Sequence, residues 1–147
     1  MKTVLKKYDL KRVVREEYEE YTKVAKSPED LYEMFEEIFN LKSMTREHFV
    51  MFSLNTKKYV EGAHLIHVGS LNASIVHPRD VYQLALLDNA ASIAVAHNHP
   101  SGESQPSQED IHVTRRLVEA GKILGIELLD HLIIGEGFKS LKELGYI

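Results

Sequence analysis

The chain has 147 residues, of which 44% are apolar and 27% charged, proportions that are typical of one compact globular domain. Its net charge of −4 argues against nucleic-acid binding as the main activity, and the absence of cysteine excludes disulfides and thiolate-bound structural zinc. Charged residues interrupt the N-terminal segment, which does not resemble a signal peptide, and the apolar runs are too short to cross a bilayer. We therefore expect a cytoplasmic protein that does not insert into membranes.

Periodic apolar residues and capping residues predict an alternation of helices and strands. The most polar segment, residues 1–26, is interpreted as an N-terminal extension of a domain at 27–147. Ser27 precedes a proline and two acidic residues, which is the pattern of a helix start. The predicted elements are, in chain order, a short strand at 10–14, a helix at 28–40, strands at 47–54, 59–68 and 73–77, a helix at 78–89, a strand at 91–96, a helix between Ser107 and Gly125, a strand at 126–134 and a last helical turn at 140–144.

This order of elements predicts an α/β (α+β) fold, a sandwich in which a mixed β-sheet is flanked by helices. The strands at 47–54 and 59–68 are expected to form a hairpin, because only a short polar turn separates them. The sequence contains no internal repeat, low-complexity tract or Gly/Ser-rich linker, which agrees with a single domain.

Two histidines at the end of a buried strand form the most informative motif of the sequence. His97 and His99 flank Asn98, so their side chains point to the same face of a strand and can reach one ion. A carboxylate from the nearby helix start, Asp110, would complete a set of two nitrogen ligands and one oxygen ligand. Such a set leaves one position of a tetrahedral zinc ion open for water, as in catalytic sites. The alternative is that both histidines bond to the neighbouring backbone.

Asp110 also has a purely structural interpretation. Ser107 and Asp110 are three residues apart at the start of the predicted helix, in the arrangement of a capping box. On spacing alone, capping and metal binding are equally compatible with the sequence. The two roles overlap in space, because a carboxylate in the first helical turn faces the loop that carries the histidines. Ser107 could cap the helix and also offer its hydroxyl to a reacting oxygen.

A zinc hydrolase also needs a general base for the bound water, which is usually a carboxylate. Glu47, Glu61 and Asp80 are the candidates upstream of the histidines. Glu47 begins a buried strand, where the edge of a cleft is expected, although a solvated charge at the end of a loop explains it more simply. Spacing alone does not choose among the three.

The other histidines and one arginine have simpler explanations. His64 and His67 are three residues apart, hence on opposite faces of a strand, and are interpreted as surface residues. His131 follows Asp130 at a strand start, and a structural pair of these two residues is favoured over a role beside the metal. Arg79 could bind an anion or pair with the acidic residue that follows it.

The pattern His-x-His-x7-Ser-x2-Asp resembles the signature of the JAMM (JAB/MPN) metalloenzymes, and the flanking residues resemble their RadC branch. The resemblance extends from Ser27 to Ile147. It is carried, besides the motif, by the segments 76–80, 96–102 and 129–135. It implies a JAB/MPN-like sandwich, which is similar to that of cytidine deaminases.

The same resemblance implies the chemistry of the site. One zinc ion per chain would be held by His97, His99 and Asp110. Glu47 would activate the zinc-bound water, and Ser107 would support the tetrahedral intermediate. The implied activity is that of a metallopeptidase or isopeptidase acting on a peptide or protein substrate.

The alternative is a non-catalytic RadC-like binding module associated with DNA repair. RadC proteins commonly carry a helix-hairpin-helix module, and no segment of this sequence resembles it. The acidic net charge supports neither DNA binding nor a metal-dependent nuclease. The sequence does not indicate the oligomeric state.

Overall fold

The computed structural model describes residues 4–7, 9, 21–72 and 74–147, and in these residues helices cover both faces of a five-stranded sheet. A short 3-10 turn, Leu41–Ser43, follows the first helix. No described helix combines the length and hydrophobicity that a bilayer-spanning segment needs. The elements are α1 (Pro28–Phe39), β1 (His48–Leu54), β2 (Val60–Val68), α2 (Pro78–Leu87), β3 (Ser92–Asn98), α3 (Gln108–Leu124), β4 (Glu127–Ile134) and β5 (Phe138–Ser140).

The sheet is mixed, with the strand order β2-β1-β3-β4-β5. β1 is antiparallel to both β2 and β3, β3 is parallel to β4, and β4 is antiparallel to β5. The parallel pair requires a crossover, and α3 supplies it between β3 and β4. This arrangement confirms the predicted fold class.

Alternation along the central strands separates two hydrophobic layers. Phe52 and its neighbours at every second position pack against α1, and its ring stacks on that of Phe35 at 4.1 Å. Phe49 and Met51 belong to the second layer, which α2 and α3 cover. β3 alternates in the same way, because Ala96 lies in the first layer and Val95 in the second. The central strands are therefore buried on both faces.

Most predicted elements are present within a few residues of their predicted bounds. β3 is longer than predicted, because it continues through His97 to Asn98. Ser27 caps α1 as predicted, accepting a hydrogen bond from the Asp30 amide at 3.1 Å. The predicted strand at 10–14 lies outside the described residues, and the domain boundary at residue 27 stays a prediction.

The predicted strand at 73–77 is wrong for the described residues 74–77, which form a turn and a bend. Asn72 explains the difference, since its side-chain oxygen accepts from the amides of Ser74 and Ile75 at 3.0 Å each. Its backbone oxygen also accepts from the Val76 amide at 3.1 Å. These amides are satisfied locally and do not join a sheet.

The turn predicted at 140–144 is present, because the Leu144 amide donates to the Ser140 carbonyl at 3.0 Å and closes one helical turn, but the strand β5 before it was not predicted. Ser140 ends β5, and residues 141–145 form hydrogen-bonded turns that do not continue as a helix. Phe138 stacks on Tyr32 with ring centroids 4.8 Å apart, and Ser140 donates to Asp130 at 2.6 Å. These contacts with α1 and β4 keep Phe138–Ser140 extended as β5. They join residues that are distant in sequence, so local propensity does not predict this strand.

Candidate metal centre

Three side chains converge where β3 ends and α3 begins. Nε2 of His97 lies 3.0 Å from Nε2 of His99 and 3.1 Å from Oδ1 of Asp110, and Nε2 of His99 lies 3.3 Å from Oδ2 of Asp110. His99 follows the end of β3, but its amide donates to the Ile134 carbonyl at 2.8 Å and so extends the pairing with β4. The alternation therefore continues past the strand, and both imidazoles face α3.

The three side chains are largely buried, and each affects the pKa of a neighbour. The His97 and Asp110 side chains are 1% and 2% exposed, whereas His99 at 15% borders solvent. Burial alone would raise the pKa of Asp110, but the two neighbouring histidines outweigh burial and lower that pKa well below the ordinary range. The hydrogen bond with Asp110 in turn raises the pKa of His99, against the opposing effect of burial.

The donor set fits a metal ion. Nδ1 of His99 lies 2.8 Å from the carbonyl oxygen of Glu103, which can only accept, so neutral His99 carries its hydrogen there and presents a lone pair at Nε2. The ligand atoms of a tetrahedral ion with bonds of about 2.0 Å lie roughly 3.3 Å apart, close to the separations of the three side chains here. His97, His99 and Asp110 could therefore bind a metal ion together.

Asp110 also forms the predicted capping box. Its amide donates to Oγ of Ser107 at 3.1 Å, and its Oδ2 accepts from the Ser107 amide at 2.7 Å. Its Oδ1 is the oxygen nearest to His97. Capping and proximity to the histidines are thus combined in one carboxylate and are not alternatives.

A cleft of 310 Å³ opens beside the cluster, and only one of the three candidate bases lines it. Glu61 accepts from the side chain of Asn55 at 2.7 Å, and Asp80 lies 3.7 Å from Arg79 on the exposed start of α2. The residues lining the cleft are Glu47, Ser70, Leu71, His99, Pro100, Ser101, Ser107 and Asp110.

Backbone groups hold Glu47 at the edge of this cleft. The Leu71 amide donates to Oε2 of Glu47 at 3.0 Å, and the Gly69 amide donates to the Glu47 carbonyl at 2.8 Å. A carboxylate has capacity for further hydrogen bonds, so Glu47 can also accept from a group in the cleft.

Residues 25–146 match the family described as the RadC-like JAB domain. The chain belongs to this family. It is 50% identical over 139 residues to a UPF0758 protein of Shouchella clausii, in a match that covers 94% of this chain and 60% of the relative. It is 55% identical over 125 residues to a UPF0758 protein of a Geobacillus species, with 84% and 54% covered, and 53% identical to UPF0758 protein YsxA of Bacillus subtilis, with 84% and 53% covered. The chain thus spans little more than half the length of these relatives.

In this RadC-like domain, Asn98 has a role that the sequence analysis missed. Its side chain points away from the histidines, where its oxygen accepts from the His48 amide at 2.7 Å and its nitrogen donates to the Arg46 carbonyl at 3.0 Å. These bonds hold both neighbours of Glu47 against the end of β3. An asparagine side chain has a donor and an acceptor side by side, so it can bridge two backbone groups of another segment. The sequence does not show which segment, because the partners of Asn98 are remote in sequence.

The interpretation of His131 and Asp130 as a structural pair needs correction. The Asp130 carboxylate accepts from the His131 amide at 2.7 Å, but its other partner is the Ser140 hydroxyl. Burial raises the pKa of Asp130, although these hydrogen bonds oppose the rise. The His131 ring points the other way, towards Nδ1 of His97 at 2.9 Å. His131 therefore contacts the candidate metal centre directly.

His64 and Arg79 lie outside the candidate metal centre. His64 is interpreted from the sequence as a surface residue, but its side chain is only 25% exposed and lies 2.5 Å from the carboxylate of Asp88. Arg79 lies 3.7 Å from Asp80, so the pairing alternative holds for it. Neither residue lines the cleft.

Proposed function

We propose that this RadC-like domain is a zinc-dependent hydrolase of the JAMM type that cleaves an amide or isopeptide bond in a peptide or protein. The observation that carries the proposal is the presence of Glu47 and Ser107 in the same cleft as His99 and Asp110. A site that only stored a metal would need neither a second carboxylate nor a hydroxyl in the cleft beside the ligand residues.

The donor set supports the choice of metal. Two imidazoles and one carboxylate, here His97, His99 and Asp110, are a common zinc set that leaves an open position. The chemistry that a bound zinc ion supplies is Lewis acidity, which polarises a carbonyl group and lowers the pKa of a water molecule. Ferrous iron uses the same donor set, so metal analysis has to separate the two ions.

Glu47 and Ser107 have complementary roles in the proposal. Glu47 lies at the cleft edge, where its carboxylate can take a proton from water and return it to the leaving amine. Ser107 accepts from the Asp110 amide through Oγ, so its own hydroxyl hydrogen can be directed to the oxygen that becomes negative. The rigid start of α3 holds this hydroxyl in place.

The first prediction concerns Glu47→Gln, with Glu61→Gln as the matched control outside the cleft. Protein purified without added metal should contain about one zinc per chain in all three forms, since neither residue belongs to the ligand set. Glu47→Gln should lower the hydrolysis of an internally quenched peptide library by roughly 100-fold or more, because a general base is lost. Glu61→Gln should cleave like the unaltered protein.

Undiminished cleavage by Glu47→Gln would remove the assigned role of this residue. Folded protein that contains no metal, and that takes up none from zinc solutions, would contradict the zinc assignment. That result would favour the non-catalytic binding module, which should bind its macromolecule equally well after replacement of His97 and His99 by alanine.

A further inference from the structure

His131 contacts the ring nitrogen of His97 that is turned away from the ligand cluster. Its side chain is 0% exposed, and the ring of Phe49 packs edge-on against it with centroids 5.6 Å apart. Its Nε2 lies 2.9 Å from Nδ1 of His97, and its Nδ1 lies 2.7 Å from Oγ1 of Thr114. Because the ring is shielded from solvent, these two contacts have to satisfy both nitrogens.

The contacts define the positions of the hydrogens. The Thr114 hydroxyl donates to the backbone carbonyl of Asp110 at 2.7 Å, and its single hydrogen is thereby used. Its oxygen can then only accept, so the hydrogen of neutral His131 lies on Nδ1. Nε2 of His131 accepts in turn from Nδ1–H of His97. The lone pair of His97 is left on Nε2, the atom that lies beside His99 and Asp110.

Burial supports a neutral His131 in this chain of hydrogen bonds. The ring is 0% exposed, and its two nitrogens contact an imidazole and the Thr114 hydroxyl, neither of which is an anion, so a positive charge on His131 would be buried without compensation. A neutral imidazole has one donor and one acceptor, so the state of one ring nitrogen determines that of the other. The hydroxyl of Thr114 thus determines, through two rings, which nitrogen of His97 is free.

We propose that Thr114 and His131 are positioning residues that hold His97 in the Nδ1-protonated tautomer and keep its Nε2 available to the metal ion. The consequence for metal binding rests on the proposed function, whereas the tautomer is a property of the metal-free protein as well. Outer hydrogen bonds of this kind orient metal-binding histidines in other proteins, and their loss weakens binding by about 10- to 100-fold.

Removal of the Thr114 hydroxyl should reverse the positions of the hydrogens on His131 and His97. Valine at position 114 cannot accept from Nδ1–H of His131, so the neutral ring would carry its hydrogen on Nε2. That hydrogen would point to Nδ1 of His97, which would have to accept and would carry its own hydrogen on Nε2. The hydrogen would then occupy the direction of the metal ion, with Asp110 as its acceptor.

The test compares Thr114→Val, which nearly preserves volume, with Thr114→Ser, which preserves the hydroxyl. Zinc affinity is measured by competition with a chromophoric chelator, and histidine tautomers are read from long-range proton–nitrogen NMR spectra of metal-free protein. Thr114→Val should bind zinc about 10- to 100-fold more weakly and carry the His97 hydrogen on Nε2. Thr114→Ser should keep the original tautomers and bind within a few-fold of the unaltered protein.

Equal zinc affinity and unchanged tautomers in Thr114→Val would overturn the proposal. If this variant does not fold, the spectra of the unaltered metal-free protein decide, because hydrogens on Nε2 of both His97 and His131 would contradict the assignment. Failure of the unaltered protein to bind zinc would instead contradict the proposed function. The tautomers of the metal-free protein would still test whether Thr114 and His131 position the hydrogen of His97.

Discussion

Asp110 combines two tasks because a carboxylate has two oxygens and sits on a helix start. Oδ2 accepts from the Ser107 amide, while Oδ1 lies 3.1 Å from Nε2 of His97. The helix N-terminus favours the negative charge that both tasks need. A neutral residue at this position could preserve the cap but not the charge, so the two tasks can be separated by substitution.

We predict that Asp110→Asn mainly weakens zinc binding, whereas Ser107→Ala mainly lowers folding stability. Asparagine keeps an oxygen that can accept from the Ser107 amide, but it loses the anionic ligand, so zinc affinity should fall by more than roughly 100-fold. Ser107→Ala removes a cap hydrogen bond and should lower the free energy of unfolding of metal-free protein by about 1 kcal/mol, with zinc binding retained. Chelator competition and urea denaturation measure the two effects. Equal loss of zinc affinity in both variants would show that the tasks are inseparable.

At the scale of elements, the loop between β3 and α3 is held against the end of β4. Gly102 lies in the left-handed region with φ of 87°, and its carbonyl accepts from the Glu136 amide at 2.9 Å. A Cβ atom on Gly135 would lie 2.2 Å from that carbonyl oxygen and 3.0 Å from the Ser104 amide nitrogen. Both are backbone atoms and cannot rotate away, so the close approach requires glycine at position 135.

Gly135→Ala should therefore displace the loop that carries His99. We expect a loss of about 1–3 kcal/mol in the free energy of unfolding, from the clash, together with weaker zinc binding. Gly137→Ala is the matched control, because a Cβ atom there meets no atom within 4 Å. Urea denaturation and chelator competition on both variants give the comparison. Equal stability and equal zinc affinity of the two variants would mean that the loop accommodates the added methyl group and that Gly135 does not help to position His99.

At the scale of the whole molecule, the ligand cluster links folding stability to pH. The folded pKa of His99 is raised by its hydrogen bond with Asp110. In metal-free protein, the stability that this bond adds is complete below the unfolded histidine pKa and is lost as pH rises through the folded pKa. Zinc requires neutral imidazoles, so its stabilising effect has the opposite dependence and grows as the proton leaves.

The difference in Tm between zinc-loaded and metal-free protein should therefore widen as pH rises from about 5 to about 8, the range in which histidine titrates. Calorimetry with and without a chelator at several pH values measures it. Contributions from His131 cancel in the difference to the extent that it stays neutral in both forms. A difference that is constant across this range would show that no histidine proton competes with the metal.

Much of the fold could be predicted from local pattern. The continuous apolar run of β1 and the capping residues of α1 and α3 depend on neighbours within one element, and these predictions are confirmed. The errors lie where distant or side-chain contacts override local preference. Hydrogen bonds to Asn72 form a turn in the described part, residues 74–77, of the predicted strand, and contacts with α1 and β4 keep Phe138–Ser140 extended as an unpredicted strand.

The sequence by itself determined the motif of His97, His99 and Asp110 and the capping box with Ser107, because short spacings constrain side chains on the same or adjacent elements. Only the tertiary structure decided which distant carboxylate reaches the cleft, since Glu47 arrives there through strand pairing and the hydrogen bonds of Asn98. It also brought His131 and Thr114 behind His97. Contacts between remote segments depend on how whole elements pack, and that information is absent from the spacing of any one motif.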